Sequence, residues 1–154
     1  FGLRPWVLGL RSWVLVRQRA LTRTNFENLR VYVLAEEMAD EVWQVVRNWE
    51  TLARDTVGRQ LVRAADSIGA NIAEGSGRGS NRDFRRFLRI ARGSLCETQH
   101  WLRRAFRRKL LTREQIERLK AIVDPLAPTL NAYLTSIGRN CPEAPPPQAP
   151  SPKT

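Results

Sequence analysis

The chain has 154 residues, 42% of them hydrophobic, and sets 26 Lys and Arg against 15 Asp and Glu, a formal charge of +11 with a pI near 11.2. That length supports one domain with a real core and is short for two, while the charge selects an anionic partner, nucleic acid or an acidic membrane surface. Two cysteines, Cys96 within helical periodicity and Cys141 in a proline-rich stretch, have neither the number nor the setting of a disulfide framework, so a reducing cytoplasm is expected.

Residues 1–24 carry Arg4, Arg11, Arg17, Arg19 and Arg23 and no acid. Their apolar run at 6–16 is interrupted by Arg11 and falls short of the roughly 20 apolar residues that span a bilayer, so no membrane partner is expected. The chain opens on Phe1, and its only methionine is Met38. Residues 1–24 are therefore read as an N-terminal extension, an over-extended reading frame in preference to a targeting peptide or amphipathic anchor.

Four segments then show helical periodicity, and none alternates as a strand would. The first, about 27–48, places Tyr32, Ala35, Ala39, Val42, Val46 and Trp49 at three- and four-residue steps. The second, about 55–74, repeats this with Val57, Leu61, Ala64, Ile68 and Ile72, with Asp55 as its expected N-cap. Gly75, expected in the left-handed conformation that closes this helix, and Gly77 and Gly79, which let the chain reverse, make the turn.

The third helix, about 81–108, opens with the capping pair Ser80 and Asp83, and its seam is Phe84, Leu88, Ala91, Leu95, Thr98, Leu102 and Ala105. The fourth, about 113–138, opens with the box Thr112 and Gln115 and runs through Ile116, Leu119, Val123, Leu126, Leu130, Tyr133 and Ile137. Pro125 and Pro128 sit inside it, which predicts a kink near Asp124 or two shorter helices. Residues 141–154 are too rich in proline to bury a core, and a disordered tail of polyproline character is expected. Short links between long amphipathic helices predict an all-α, antiparallel up-down-up-down four-helix bundle over residues 25–140.

The third helix is also the chain's cationic element. Residues 80–109 hold ten basic side chains against Asp83 and Glu97. Arg82, Arg85, Arg86, Arg89 and Arg92 recur at three- and four-residue steps and share a broad face, with Arg78 beside the helix start. Guanidinium forks grip phosphate oxygens in pairs, so these six arginines are the candidate RNA- or DNA-binding residues. The alternative is structural pairing with Glu36, Glu37, Asp40 and Glu41 of a neighbouring helix or subunit. No code for bases is visible and no aromatics are interleaved on a strand platform, so recognition of backbone and shape is expected.

Asn71, Glu74, Gly75, Gly77 and Gly79 read as turn residues, Asn71 and Glu74 tying the turn through hydrogen bonds that include Arg78. The three glycines have no preceding strand and no following Gly-Lys-Ser/Thr, which sets them apart from a nucleotide loop. Gly93 and Ser94, in mid-helix, mark a close interhelical or intersubunit approach. Phe87, Trp101, Trp43 and Trp49 exceed what the seams accommodate; either a second apolar face serves oligomerisation or one wide core takes them all.

Glu97 and His100 form half of a di-iron carboxylate signature, but His100 is the only histidine, so the pair reads as polar surface. With no nucleophile elbow, Cys-x-x-Cys pair or recognisable paired acids, no catalytic residue, metal or cofactor is expected, and the chain reads as a non-enzyme.

The run Asn71-Ile72-Ala73-Glu74-Gly75-Ser76-Gly77-Arg78, then Asp83-Phe84 and Arg86-Phe87-Leu88 leading to Ile90-Ala91-Arg92-Gly93-Ser94-Leu95, resembles the signature of small four-helix-bundle proteins encoded by intervening sequences of bacterial 23S rRNA genes. Residues 26–32 are similar to that family's opening, and Gln60, Arg63, Ala64 and Ser67 to its second helix; the likeness covers about 25–138. The resemblance implies a homo-oligomer, a pentamer being favoured, with no established enzymatic activity. A structural relative of the family, the accessory variability protein of diversity-generating retroelements, is a basic pentamer that works with a reverse transcriptase and its RNA. By that analogy alone a reverse transcriptase is a candidate partner. The leading expectation is a non-catalytic RNA- or DNA-binding accessory. The alternative is a protein-interaction scaffold whose arginines form intersubunit salt bridges.

Overall fold

The computed structural model describes residues 29–139, so the expectations for the N-terminal extension and the proline-rich tail lie outside the described residues. Among these there are four helices and no strand. Helix α1 is Arg30–Val46. Helix α2 starts as a single turn, Thr51–Ala53, passes through a π-helical turn, Arg54–Gly58, and continues as Arg59–Gly77. Helices α3, Asn81–Arg107, and α4, Arg113–Arg139, complete the bundle. α1 packs on α2 and α4, and α3 packs on the same two. The four helices thus form a ring of antiparallel neighbours, with the α1/α2 and α3/α4 grooves on opposite sides.

The seam expected for α2 is buried throughout, and those of α3 and α4 supply Leu88, Ala91, Leu95, Ala105, Leu119, Leu126 and Leu130 to the core. In α1 the buried stripe is Val31, Ala35, Met38, Val42 and Val45, so Tyr32 and Ala39 fall to its edge. The Tyr32 hydroxyl donates to Glu36 Oε1 at 2.8 Å, which keeps its polar tip at the surface. Met38, an unbranched side chain that fills irregular space, takes the central position instead.

The Ser80–Asp83 capping pair and the Thr112–Gln115 capping box both form. Asp83 N–H donates to Ser80 Oγ (3.1 Å) while Ser80 Oγ donates to Asp83 Oδ2 (2.8 Å). Thr112 N–H donates to Gln115 Oε1 (2.9 Å), and Gln115 N–H to Thr112 Oγ1 (3.2 Å). Asp55 is not an N-cap: α2 starts four residues earlier, and Asp55 lies in the π-turn beside Arg54. Nothing in Thr51–Ala53 opposes helix, and Trp49 is buried at the corner just before it. Gly58 ends the π-turn where a Cβ would stand 2.6 Å from Val46 Cγ1, so glycine lets α1 and α2 close at that end.

Gly75 does not adopt the left-handed conformation; that role falls to Gly79 (φ 73°). Gly75 is helical and buried, and a Cβ there would lie 2.6 Å from Phe87 Cβ, so its smallness serves the α2/α3 contact. The fourth helix is continuous through both prolines, so it is one helix and not the two shorter helices expected as the alternative to a kink. The carbonyls that Pro125 and Pro128 leave without a helical donor belong to Ala121 and Asp124, both exposed, where water can serve them. Buried Leu126 and Leu130 hold the flanking turns against the core.

Candidate nucleic-acid interface

Helix α3 is held to α2 by a directed chain of polar groups. Asn71 Nδ2 donates to Ser67 O (2.7 Å) and Ser67 Oγ (3.0 Å), and Ser94 Oγ donates to Ile90 O (3.2 Å). One hydroxyl proton each then makes Ser67 the donor in the 3.0 Å Ser67–Ser94 contact. Asn71 therefore looks back along α2 and does not tie the turn, because its amide finds acceptors one helical turn earlier. Glu74 does tie it, through an ion pair to Arg78.

Of the candidate arginines, Arg78 is engaged: besides Glu74, its guanidinium carbon lies 5.4 Å from the Phe87 ring centroid. Arg82, Arg85, Arg86, Arg89 and Arg92 make no ion pair with any described residue. The ring order explains this. The acids of α1 lie on the helix diagonal to α3, and Glu41 is taken by Arg118 of α4 at 2.7 Å.

Arg85, Arg89 and Arg92 line one cleft of about 410 Å³ against Leu134, Thr135 and Gly138 of α4. A Cβ at Gly138 would stand 3.1 Å from Arg85 Nε and 3.2 Å from its Cζ, so the absent side chain gives the guanidinium room to lie against the helix. Arg82 and Arg86 are exposed on the same helix. No acid lines this cleft. The groove on the far side, between α1 and α2, is its electrostatic opposite: Asp40 and Asp66 share it, and partial burial, then the Asp40 carboxylate, raise Asp66 above its ordinary value.

Gly93 is exposed with open space around it, so no helix of the same chain approaches it closely; the interhelical contact is made by Ser94. Trp49 is buried, Phe87 and Trp101 are half-buried, and Trp43 alone of these four is exposed, at 56%. Glu97 accepts from Trp101 Nε1 (3.4 Å) and pairs with Arg63 (3.8 Å), whereas His100 is exposed and meets the Trp101 ring edge to face. Among the described residues no three His, Cys, Asp or Glu side chains are grouped to hold a metal ion.

One residue absent from the sequence expectations lines the same groove. Phe106 is 59% exposed at the other end of the α3/α4 groove. Its signal was the seven-residue repeat Arg85, Arg92, Gln99, Phe106, which puts it in line with the arginines.

Residues 27–132, more than half of the chain, match the family described as 23S rRNA-intervening sequence protein. The chain belongs to that family. A solved structure described as a protein of unknown function from the S23 ribosomal protein family of Bacteroides thetaiotaomicron is similar to this 23S rRNA-intervening sequence family member at 27% identity and TM-score 0.56, covering 68% of this chain and 97% of that one. No curated protein matches. No helix among the described residues of this family member is long and apolar enough to cross a membrane.

Proposed function

We propose that the protein is a non-catalytic, cytoplasmic, homo-oligomeric accessory that binds RNA or DNA through α3. The observation that carries this reading is the set of five α3 arginines without ion-pair partners among the described residues, three of them converging on one acid-free cleft. Guanidiniums crowded on one helix repel each other, and a polyanion relieves that repulsion while releasing its condensed counterions. Five copies in a ring would multiply the groove and turn weak contacts into avid ones.

The test is RNA binding by the full chain across a salt series, with light scattering in parallel. Affinity for a structured RNA should fall steeply with salt, and replacing Arg85, Arg86, Arg89 and Arg92 by Gln should weaken binding for every sequence and flatten the slope by about one unit per lost phosphate contact. The scattering mass should be that of an oligomer, a pentamer being expected, and unchanged by the substitutions.

A second reading has its own observation. The acidic α1/α2 groove and the basic α3/α4 groove lie on opposite sides of one subunit, as a head-to-tail salt-bridged scaffold would require. In that case the four substitutions dissociate the oligomer, and the unmodified chain binds no RNA at low salt.

A further inference from the structure

Along α3, Arg85, Arg89, Arg92, Cys96, Gln99, Arg103 and Phe106 follow one another at alternating four- and three-residue steps, a single stripe about 31 Å long. Its two ends open on two clefts in the same α3/α4 groove. One is the arginine cleft. The other, also about 410 Å³, has Leu102, Leu119 and Val123 among its apolar lining, Phe106 on its flank, and Gln99, Arg103 and Lys120 as its polar groups. That volume lies in the range of small-molecule sites.

We infer that this second cleft receives an unpaired nucleobase, so that the α3/α4 groove takes a single-stranded segment, its phosphates on Arg85, Arg89 and Arg92 and a base against Phe106. This rests on the nucleic-acid reading above and deepens it. The chemistry of the cleft fits a base on three counts. An exposed aromatic ring beside an aliphatic floor stacks any base regardless of identity. Gln99 is half-buried and its amide has no hydrogen-bond partner among the described residues, leaving a donor and an acceptor for a base edge. Arg103 and Lys120 have no ion pair among the described residues either, and no acid lines the cleft.

Charge complementarity selects the occupant. An apolar peptide would fill the floor and leave both cations unanswered, whereas a nucleotide brings a flat apolar ring and an anion together. A second copy, which carries acids in its α1/α2 groove, is separated by the scattering mass below. A duplex offers only the anion, because its bases are already stacked on one another. The groove therefore distinguishes unpaired from paired strands without reading sequence.

The experiment is fluorescence anisotropy of the full chain with a labelled single-stranded RNA, the same strand as a duplex, and a single strand with abasic sites in its central positions. The single strand should bind about tenfold more tightly than the duplex or the abasic strand. Phe106→Ala should lose about that factor on the single strand, leave the duplex and abasic strands unchanged, and leave the salt slope intact; Phe106→Trp should restore the loss. Equal binding of normal and abasic strands by the unmodified protein overturns the inference, with no variant required. If Arg85, Arg89 and Arg92 still prove necessary in that case, the nucleic-acid reading stands without the base site. A Phe106→Ala protein of lower scattering mass and unchanged RNA affinity assigns the cleft to a second copy and also overturns it. Absence of binding to any strand removes both readings.

Discussion

Gly75 and Gly93 illustrate how little a residue type says until its surroundings are known. Both are helical glycines in the segment that resembles the family, and the entropy cost of each relative to alanine is about 1 kcal/mol. At Gly75 a methyl would meet the Cβ of Phe87, an atom fixed to the α3 backbone, so Gly75→Ala should destabilise the fold by about 1–3 kcal/mol through overpacking. At Gly93 it would meet nothing within 4 Å in the subunit, so Gly93→Ala should raise stability by about 1 kcal/mol. Urea denaturation of the two variants checks both signs, and a destabilised Gly93→Ala would place another subunit against that position. The sequence reading assigns the turn to Gly75 and the close approach to Gly93. The structure gives the close approach to Gly75 and open space to Gly93, because the distance to a residue on another helix is not written in local periodicity. Arg78 carries the same lesson: it resembles its five neighbours in type and spacing, yet Glu74 and Phe87 occupy it.

At the scale of the helix, the elements whose ends are written in side-chain hydrogen bonds were legible. Ser80 with Asp83 and Thr112 with Gln115 each satisfy backbone donors locally, so their meaning survives without tertiary context. The start of α2 was not legible, since it has no side-chain cap and depends on buried Trp49 and on the approach of Val46 to Gly58. The prolines of α4 were read from their intrinsic penalty, and the packing of Leu126 and Leu130 overrides it. The penalty is relieved, not removed. Pro128 is exposed, and Pro128→Ala should restore a donor to the Asp124 carbonyl and stabilise the helix by about 2 kcal/mol after the loss of proline's unfolded-state advantage. A rise in thermal midpoint with unchanged helical circular dichroism is the expected outcome.

For the molecule as a whole, periodicity and short links were enough to give a ring of four antiparallel helices, but the consequence of that ring for charge was not. Diagonal placement of α1 and α3 separates the acids from the arginines that could have neutralised them, and only the assembled bundle shows two opposed grooves of opposite sign. Asp66 reports on this separation. Its folded value is raised above the ordinary 3.8, so its ionised form opposes folding at neutral pH, and that opposition fades as pH falls through the raised value and is gone below the ordinary one. Asp66→Asn should therefore raise the thermal midpoint modestly at pH 7 and leave it unchanged below about pH 3.8, read by scanning calorimetry across a pH series. If a partner copy's arginines filled the acidic groove, the carboxylate would be stabilised, and the same substitution would lower the midpoint at pH 7.

Buried Trp49 at the α1–α2 corner has an indole N–H with no acceptor among the described residues. Its hydrogen is shielded from solvent by packing alone, with no bond to be broken before it is replaced. Deuterium will reach it only when the corner parts, and its rate of disappearance from a proton–nitrogen spectrum then clocks that opening by itself. An indole that exchanges faster than the amides of Val42 and Leu61 would mark the corner as a unit that opens while the centre of the bundle stays shut.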